Sequence, residues 1–157
     1  MQEKEALVSA EETPAARQAV RKLHNSPIHM MRRALQNYTA SWLDVVGDTT
    51  PAQFAVLVTL QAAPGLSQTG LGRITGIDTA TLTPLLLRLE GRGLLNREVD
   101  SGNRRRRVLR LTPAGDEETS RLVPLVDSVD AVVLGGLPAN RRTAFLETLH
   151  FIADIAD

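Results

Sequence analysis

Residues 100–112 read DSGNRRRRVLRLT: a turn-forming Asp-Ser-Gly-Asn, four consecutive arginines, then alternating residues suited to a strand. Adjacent guanidiniums repel unless a turn spreads them or an anion neutralises them, and such a turn cannot pack a core. The segment therefore belongs at the surface as a charged hairpin, where gripping phosphate is the chemistry it suits. What precedes it narrows the fold. Residues 79–95, TATLTPLLLRLEGRGLL, carry leucines at helical spacing, stop at glycine and pass into an apolar strand. Helix, strand, basic turn, strand is the order of a winged helix-turn-helix, so the expected fold is mainly α with a small β-hairpin wing.

Residues 1–25 are polar, Ala-rich and weakly periodic, and Pro14 is expected to break any helix, which predicts a flexible arm. Residues 26–47 read as a first dimerisation and core helix started by Pro27, with Ile28, Met31, Leu35, Tyr38, Trp42 and Val45 on one apolar stripe. That stripe is longer than a small core needs, so part of it is expected to meet a second subunit. Residues 50–112 form the expected DNA-binding lobe. Its first helix, 51–62, starts with a threonine cap and a proline and is predicted to bury Phe54, Leu57, Val58 and Leu60. The next, 68–75, turns Leu71 and Ile74 inward; the third, capped by Asp78 or Thr79, buries Leu82, Leu85, Leu86 and Leu89. Strands are predicted at 94–99 and 106–111, with Leu109 and Leu111 on one face and Val108 and Arg110 on the other. Residues 113–157 supply a long helix that Pro124 can kink and a last helix striped by Phe145, Leu149, Ile152 and Ala156; these are the expected C-terminal dimerisation helices.

The chain of 157 residues has 18 basic and 18 acidic side chains, a net charge of zero that argues weakly against a nucleic-acid partner. The average hides a partition. Residues 51–112 hold nine arginines against Asp78, Glu90, Glu98 and Asp100, whereas 113–157 hold three arginines against eight acids. The positive field lies on the middle third. Two short helices joined by a tight turn present the second to a DNA major groove, where hydroxyls can read base edges. Thr79, Thr81 and Thr83 are the candidate readers, Pro84 could touch a thymine methyl, and Arg88 is placed for phosphate; threonines covering a solvent face would look the same. Arg104 and Arg105 near the hairpin tip could enter a minor groove, with Arg106 and Arg107 on flanking phosphates, against the alternative of a solvated charge run.

Cysteine is absent, which excludes disulfides, thiolate zinc sites and cysteine redox sensing. No apolar run approaches the ~18 residues of a membrane span, so a soluble cytoplasmic protein with no membrane partner is expected. The histidines His24, His29 and His150 do not form a metal-ligand pattern, and His24 with His29 is a poor spacing on one helix face. With no Gly-rich phosphate loop after a strand and no nucleophile elbow, no enzyme and no cofactor are expected.

The stretch 50–115 resembles the MarR family of bacterial transcriptional regulators in TPAQFAVL, LGRITGID, LEGRGLLNREVD and RRRVLRLTPAG. The resemblance implies a homodimer that binds palindromic operators in double-stranded DNA, usually as a repressor, and in many members a small aromatic acid that releases it. It implies an effector pocket where dimerisation helices meet the DNA-binding lobe. There His29 and Arg33 share a helix face, with Asn25 and Met30 close by, and Arg33 falls where some relatives carry an arginine that binds an aromatic carboxylate. Both could equally sit in water. Relatives that repress nicotinate and other aromatic-acid breakdown make a pyridine carboxylate such as hydroxynicotinate the expected small-molecule effector. Two departures stand out. Asn103 replaces the acidic residue that often braces the wing tip, leaving Asp100 to substitute. Residues 82–90, LTPLLLRLE, are similar to the recognition helix of the organic-hydroperoxide branch, yet the sensor cysteine is missing. A metal-responsive regulator and a dimeric protein-interaction module remain as alternatives.

Overall fold

A computed structural model of the chain describes residues 13–100 and 102–153, without the side chains at 100 and 103–106. Its contacts divide the chain into two units, 1–40 and 41–157. The first twelve residues of the expected arm, and Ala156 of the last stripe, lie outside the described residues.

In the first unit a helix stands where the sequence predicts a break. Helix α1, Pro14–His24, begins at Pro14 itself, capped by the Thr13 hydroxyl, which accepts from the Ala16 amide at 3.2 Å. Proline is harmless there because the first amide of a helix has no intrahelical partner, so Pro14 starts the helix it was expected to break. Helix α2, Pro27–Val46, follows. Its stripe divides: Ile28 is 71% and Leu35 67% exposed, whereas Trp42, in the second unit, is buried. Near the C-terminus the buried residue is Val46 and not the expected Val45. The Trp42 indole N–H donates to the Thr49 carbonyl at 2.7 Å, and its ring meets Phe54 edge-on at 5.8 Å.

The core of the second unit surrounds α3, Pro51–Ala62, which packs against α4, Gln68–Thr75, against β2, Asn103–Leu111, and against α6, Pro113–Leu134. Thr50 and Gln53 form a reciprocal capping box around Pro51. The interior residues of α3 are Gln53, Val56, Leu57 and Leu60, with Phe54 and Val58 half-buried at the margin. Leu71 of α4 is buried, but Ile74 is 59% exposed, because a two-turn helix buries only the narrow strip that meets its neighbours. Gly76, at φ 66°, closes α4 in the left-handed conformation that favours glycine. Helix α5, Thr79–Gly91, buries Leu82, Leu85, Leu86 and Leu89 as predicted.

The hairpin consists of β1, Leu95–Asp100, antiparallel to β2. Asp100 pairs with Asn103 but Val99 pairs with Arg107, so Arg104, Arg105 and Arg106 occupy an irregularity in the register. The second strand thus starts three residues before its predicted position. At its far end Leu109 exchanges backbone hydrogen bonds with the Gly65–Leu66 segment, at 3.0 and 2.8 Å. Val108, expected on the Arg110 face, is buried along with Leu109, so both faces of the strand are covered here. Thr112 caps α6 through the Gly115 amide at 3.0 Å, and a Cβ on Gly115 would overlap the Leu94 carbonyl. Only glycine lets α6 start this close to the hairpin. Helix α7, Ala139–Ala153, has no buried residue.

Candidate nucleic-acid interface

Helix α5 is capped by Asp78, whose carboxylate accepts from the Thr81 amide at 3.0 Å and the Thr81 hydroxyl at 2.7 Å. Those bonds hold the Asp78 carboxyl below the usual carboxylate range. Thr79, Thr81, Thr83, Pro84 and Arg88 are all exposed, as their predicted role requires. Leu87, one turn after Thr83, is 58% exposed, an outward residue the leucine pattern concealed. The hydroxyls, however, are not equivalent. Thr83 donates to the Thr79 carbonyl at 2.9 Å and accepts from the Gln68 side-chain amide at 2.8 Å. Gln68 in turn accepts from Arg97 at 3.3 Å, and the Arg97 Nε donates to Glu90 at 2.8 Å. A chain of polar side chains therefore runs from Glu90, late in α5, through β1 and α4, back to the first half of α5.

Two ion pairs tie the base of the hairpin: Arg97 with Glu90 at 2.8 Å and Arg110 with Glu98 at 3.2 Å. Arg107 is exposed, and Arg104, Arg105 and Arg106 follow the turn along β2, with side chains outside the described residues. The expected substitution of Asp100 for a brace at Asn103 falls on such side chains as well. Arg92, the C-cap of α5, reaches the Thr49 hydroxyl at 3.4 Å and Glu118 of α6 at 3.6 Å. Glu118 also takes two bonds from Arg121, at 2.8 and 3.0 Å; that guanidinium, aided by Arg92, holds its carboxyl below the usual range.

The effector candidates lie in the first unit. Asn25 is the C-cap of α1, and Met30 and Arg33 are exposed on α2. The turn between the helices stacks the His24 and His29 rings, 6.1 Å between centroids at 22°, which helical spacing did not anticipate. Arg32 stands 3.5 Å from His29 Nδ1 and donates to Gln36 at 3.0 Å. Partial burial, then the nearby Arg32 and Arg33 guanidiniums and His24, hold His29 below the ordinary histidine value. Residues 13–43 contain Arg17, Arg21, Lys22, Arg32 and Arg33 and no acid, a second basic region hidden by the neutral sum over the first fifty residues. Pro14, Arg17, Gln18, Arg21, Lys22 and Asn25 line a groove of about 680 Å³. Among the described residues no group of three or more His, Asp or Glu could hold a metal ion.

Residues 49–106 match the MarR family model. The transcriptional regulator HosA of Escherichia coli O127:H6 is 36% identical over 128 residues, covering 82% of this chain and 95% of its own length. The chain belongs to the MarR family of transcriptional regulators. Among solved structures of that family's fold, PcaV of Streptomyces coelicolor with its natural ligand superposes with a TM-score of 0.81 at 34% identity, over 86% of this chain and 96% of PcaV. A structure of Bordetella bronchiseptica BpsR, described as the mechanism for regulation of its DNA binding by 6-hydroxynicotinic acid, gives 0.79 at 31% identity, over 83% and 94%. The MarR match begins at buried Thr49, the residue that both Trp42 and Arg92 contact, and ends among the wing arginines. Within it, Gln68, Arg92 and Arg97 escaped prediction, because nothing local in a MarR sequence ties Gln68 to a partner fifteen residues away. No single helix among the described residues is long and apolar enough to cross a membrane.

Proposed function

We propose that this chain is a homodimeric, sequence-specific repressor that leaves a palindromic DNA operator when a small aromatic or pyridine carboxylate binds. The observation that carries the reading is the juxtaposition, in one unit, of the exposed Thr79, Thr81, Thr83, Pro84 and Arg88 face of α5 with an arginine-rich hairpin held by paired charges at its base. A positive hairpin beside an outward helix face of short polar and apolar groups suits phosphate gripping with groove reading. Arg104, Arg105, Arg106 and Arg107 supply affinity and orientation, and α5 supplies sequence choice. The likeness to BpsR supports both halves, since its DNA binding is regulated by 6-hydroxynicotinic acid.

Arg33 is the proposed carboxylate partner. Guanidinium offers two parallel donors to a planar carboxylate, His29 with its lowered pKa offers a neutral ring, and Asn25 and Met30 complete the site. Two recognition helices must stand about 34 Å apart to enter successive major grooves. A ligand that favours another spacing by about 1 to 3 kcal/mol is enough to release the operator. The test is retardation of duplexes selected from a random pool, with and without hydroxynicotinate. Arg104→Ala with Arg105→Ala abolishes retardation while the dimer stays folded; unchanged retardation sinks the wing assignment. Arg33→Ala still binds DNA but no longer responds to the acid; equal release from both proteins places the effector elsewhere.

A further inference from the structure

The proton of the Thr83 hydroxyl is committed inside the protein. A backbone carbonyl only accepts, so the bond to the Thr79 carbonyl at 2.9 Å uses the Thr83 proton. The second contact then has to be a donor, and the Gln68 amide Nε2 at 2.8 Å is one. The orientation of that amide is fixed in its turn, because Arg97, which only donates, faces Gln68 Oε1 at 3.3 Å. Arg97 is itself held by Glu90 at 2.8 Å. Every donor in the relay therefore meets an acceptor: Arg97 donates to Glu90 on one side and to Gln68 on the other, and from Gln68 the donors run through Thr83 to the Thr79 carbonyl. The Thr81 proton is engaged too, on the Asp78 carboxylate at 2.7 Å.

Thr83 is nonetheless exposed, and with its proton engaged it cannot donate to a base. What it retains for a partner is one acceptor lone pair, which the O4 of thymine, itself only an acceptor, cannot use, and its γ-methyl group. The neighbouring outward residues are of the same kind: exposed Pro84 and Leu87, the latter 58% exposed one turn later. An exposed apolar strip on a helix otherwise framed by arginines has a matching feature in the major groove, the 5-methyl group of thymine. We infer that Thr83 selects thymine through its methyl group, with Gln68 and Arg97 as positioning residues that turn its hydroxyl away from the bases. The inference rests on the DNA-binding reading and assigns to Thr83 a chemistry opposite to hydrogen-bond readout.

The experiment uses the full chain and the duplex it selects from a random-sequence pool. Each thymine of the half-site is replaced in turn by deoxyuridine, which removes the methyl group and leaves every hydrogen-bonding group in place. Wild type is expected to lose about fourfold in affinity at one thymine, the worth of one buried methyl. Thr83→Val, which keeps the methyl and drops the hydroxyl, retains that loss. Thr83→Ser, which keeps the hydroxyl and drops the methyl, binds thymine and deoxyuridine alike at that position. Gln68→Ala, with folding checked by circular dichroism, removes the amide that holds the Thr83 hydroxyl in place and shrinks the thymine preference. Deoxyuridine that is neutral at every position in wild type overturns the inference, as does a penalty kept by Thr83→Ser and lost by Thr83→Val. Failure of the wild-type protein to enrich any duplex is a separate result: it overturns the DNA-binding reading itself and this inference with it.

Discussion

Glu118 lies between two guanidiniums, Arg121 on its own helix at 2.8 Å and Arg92 from the end of α5 at 3.6 Å. Its carboxyl is held below the usual glutamate range, so the folded chain prefers the charged form more than the unfolded chain does. The resulting stability is fully present above the ordinary glutamate range and is lost as pH falls through the lower folded value. Glu118→Gln is expected to cost about 1 kcal/mol at neutral pH, the modest worth of a partly exposed pair. Thermal unfolding of both proteins across pH checks this, the difference between them narrowing in acid. Residues of this kind resist prediction. Asp78 was legible as a cap because its partner is three positions away, whereas Arg92 and Thr49 meet across 43 positions. The outward threonines were legible as positions, yet the direction of the Thr83 hydroxyl depends on Gln68, which belongs to another helix.

Among the elements, α5 carries a cost in its middle. Pro84 is its sixth residue, beyond the first turn whose amides are unpaired, so the Ala80 carbonyl loses its helical donor. Ala80 is exposed, and water can serve that carbonyl instead. Pro84→Ala is expected to stabilise the protein by roughly 1 to 3 kcal/mol, read as a raised urea midpoint at unchanged slope. Helix boundaries in the lobe were legible because caps are local: Thr50, Asp78 and Thr112 announce their helices within three residues. The hairpin register was not. Four identical arginines offer no contrast between faces, and alternation of apolar and polar residues is what tells a strand its register. Ile74 misled for a related reason, since an apolar residue on a two-turn helix has no second repeat to confirm its side.

Across the whole molecule the apolar surface is unevenly distributed. Ile28 and Leu35 of α2 are 71% and 67% exposed, and Phe151 of α7 is 71% exposed, on helices at opposite ends of the chain. Exposed apolar side chains of this kind suit self-association, and the proposed reading of a palindrome requires two copies. Sedimentation is expected to give twice the 17.1 kDa chain mass. Phe151→Glu, a change at an exposed site, is expected to give a folded single chain that binds DNA weakly. A stripe that outruns its core is legible in the sequence, whereas which of its residues stay uncovered depends on contacts made by elements distant in the chain. Gly115 gives the molecule one more property. The first turn of α6 rests on the Leu94 carbonyl with no side chain between them, and β1 starts at the next residue. A packed layer of side chains can deform and absorb a tilt; bare backbone against backbone has no such slack. The long helix and the arginine hairpin are therefore seated backbone on backbone, and Gly115→Ala is expected to force them apart, read as a lowered urea midpoint.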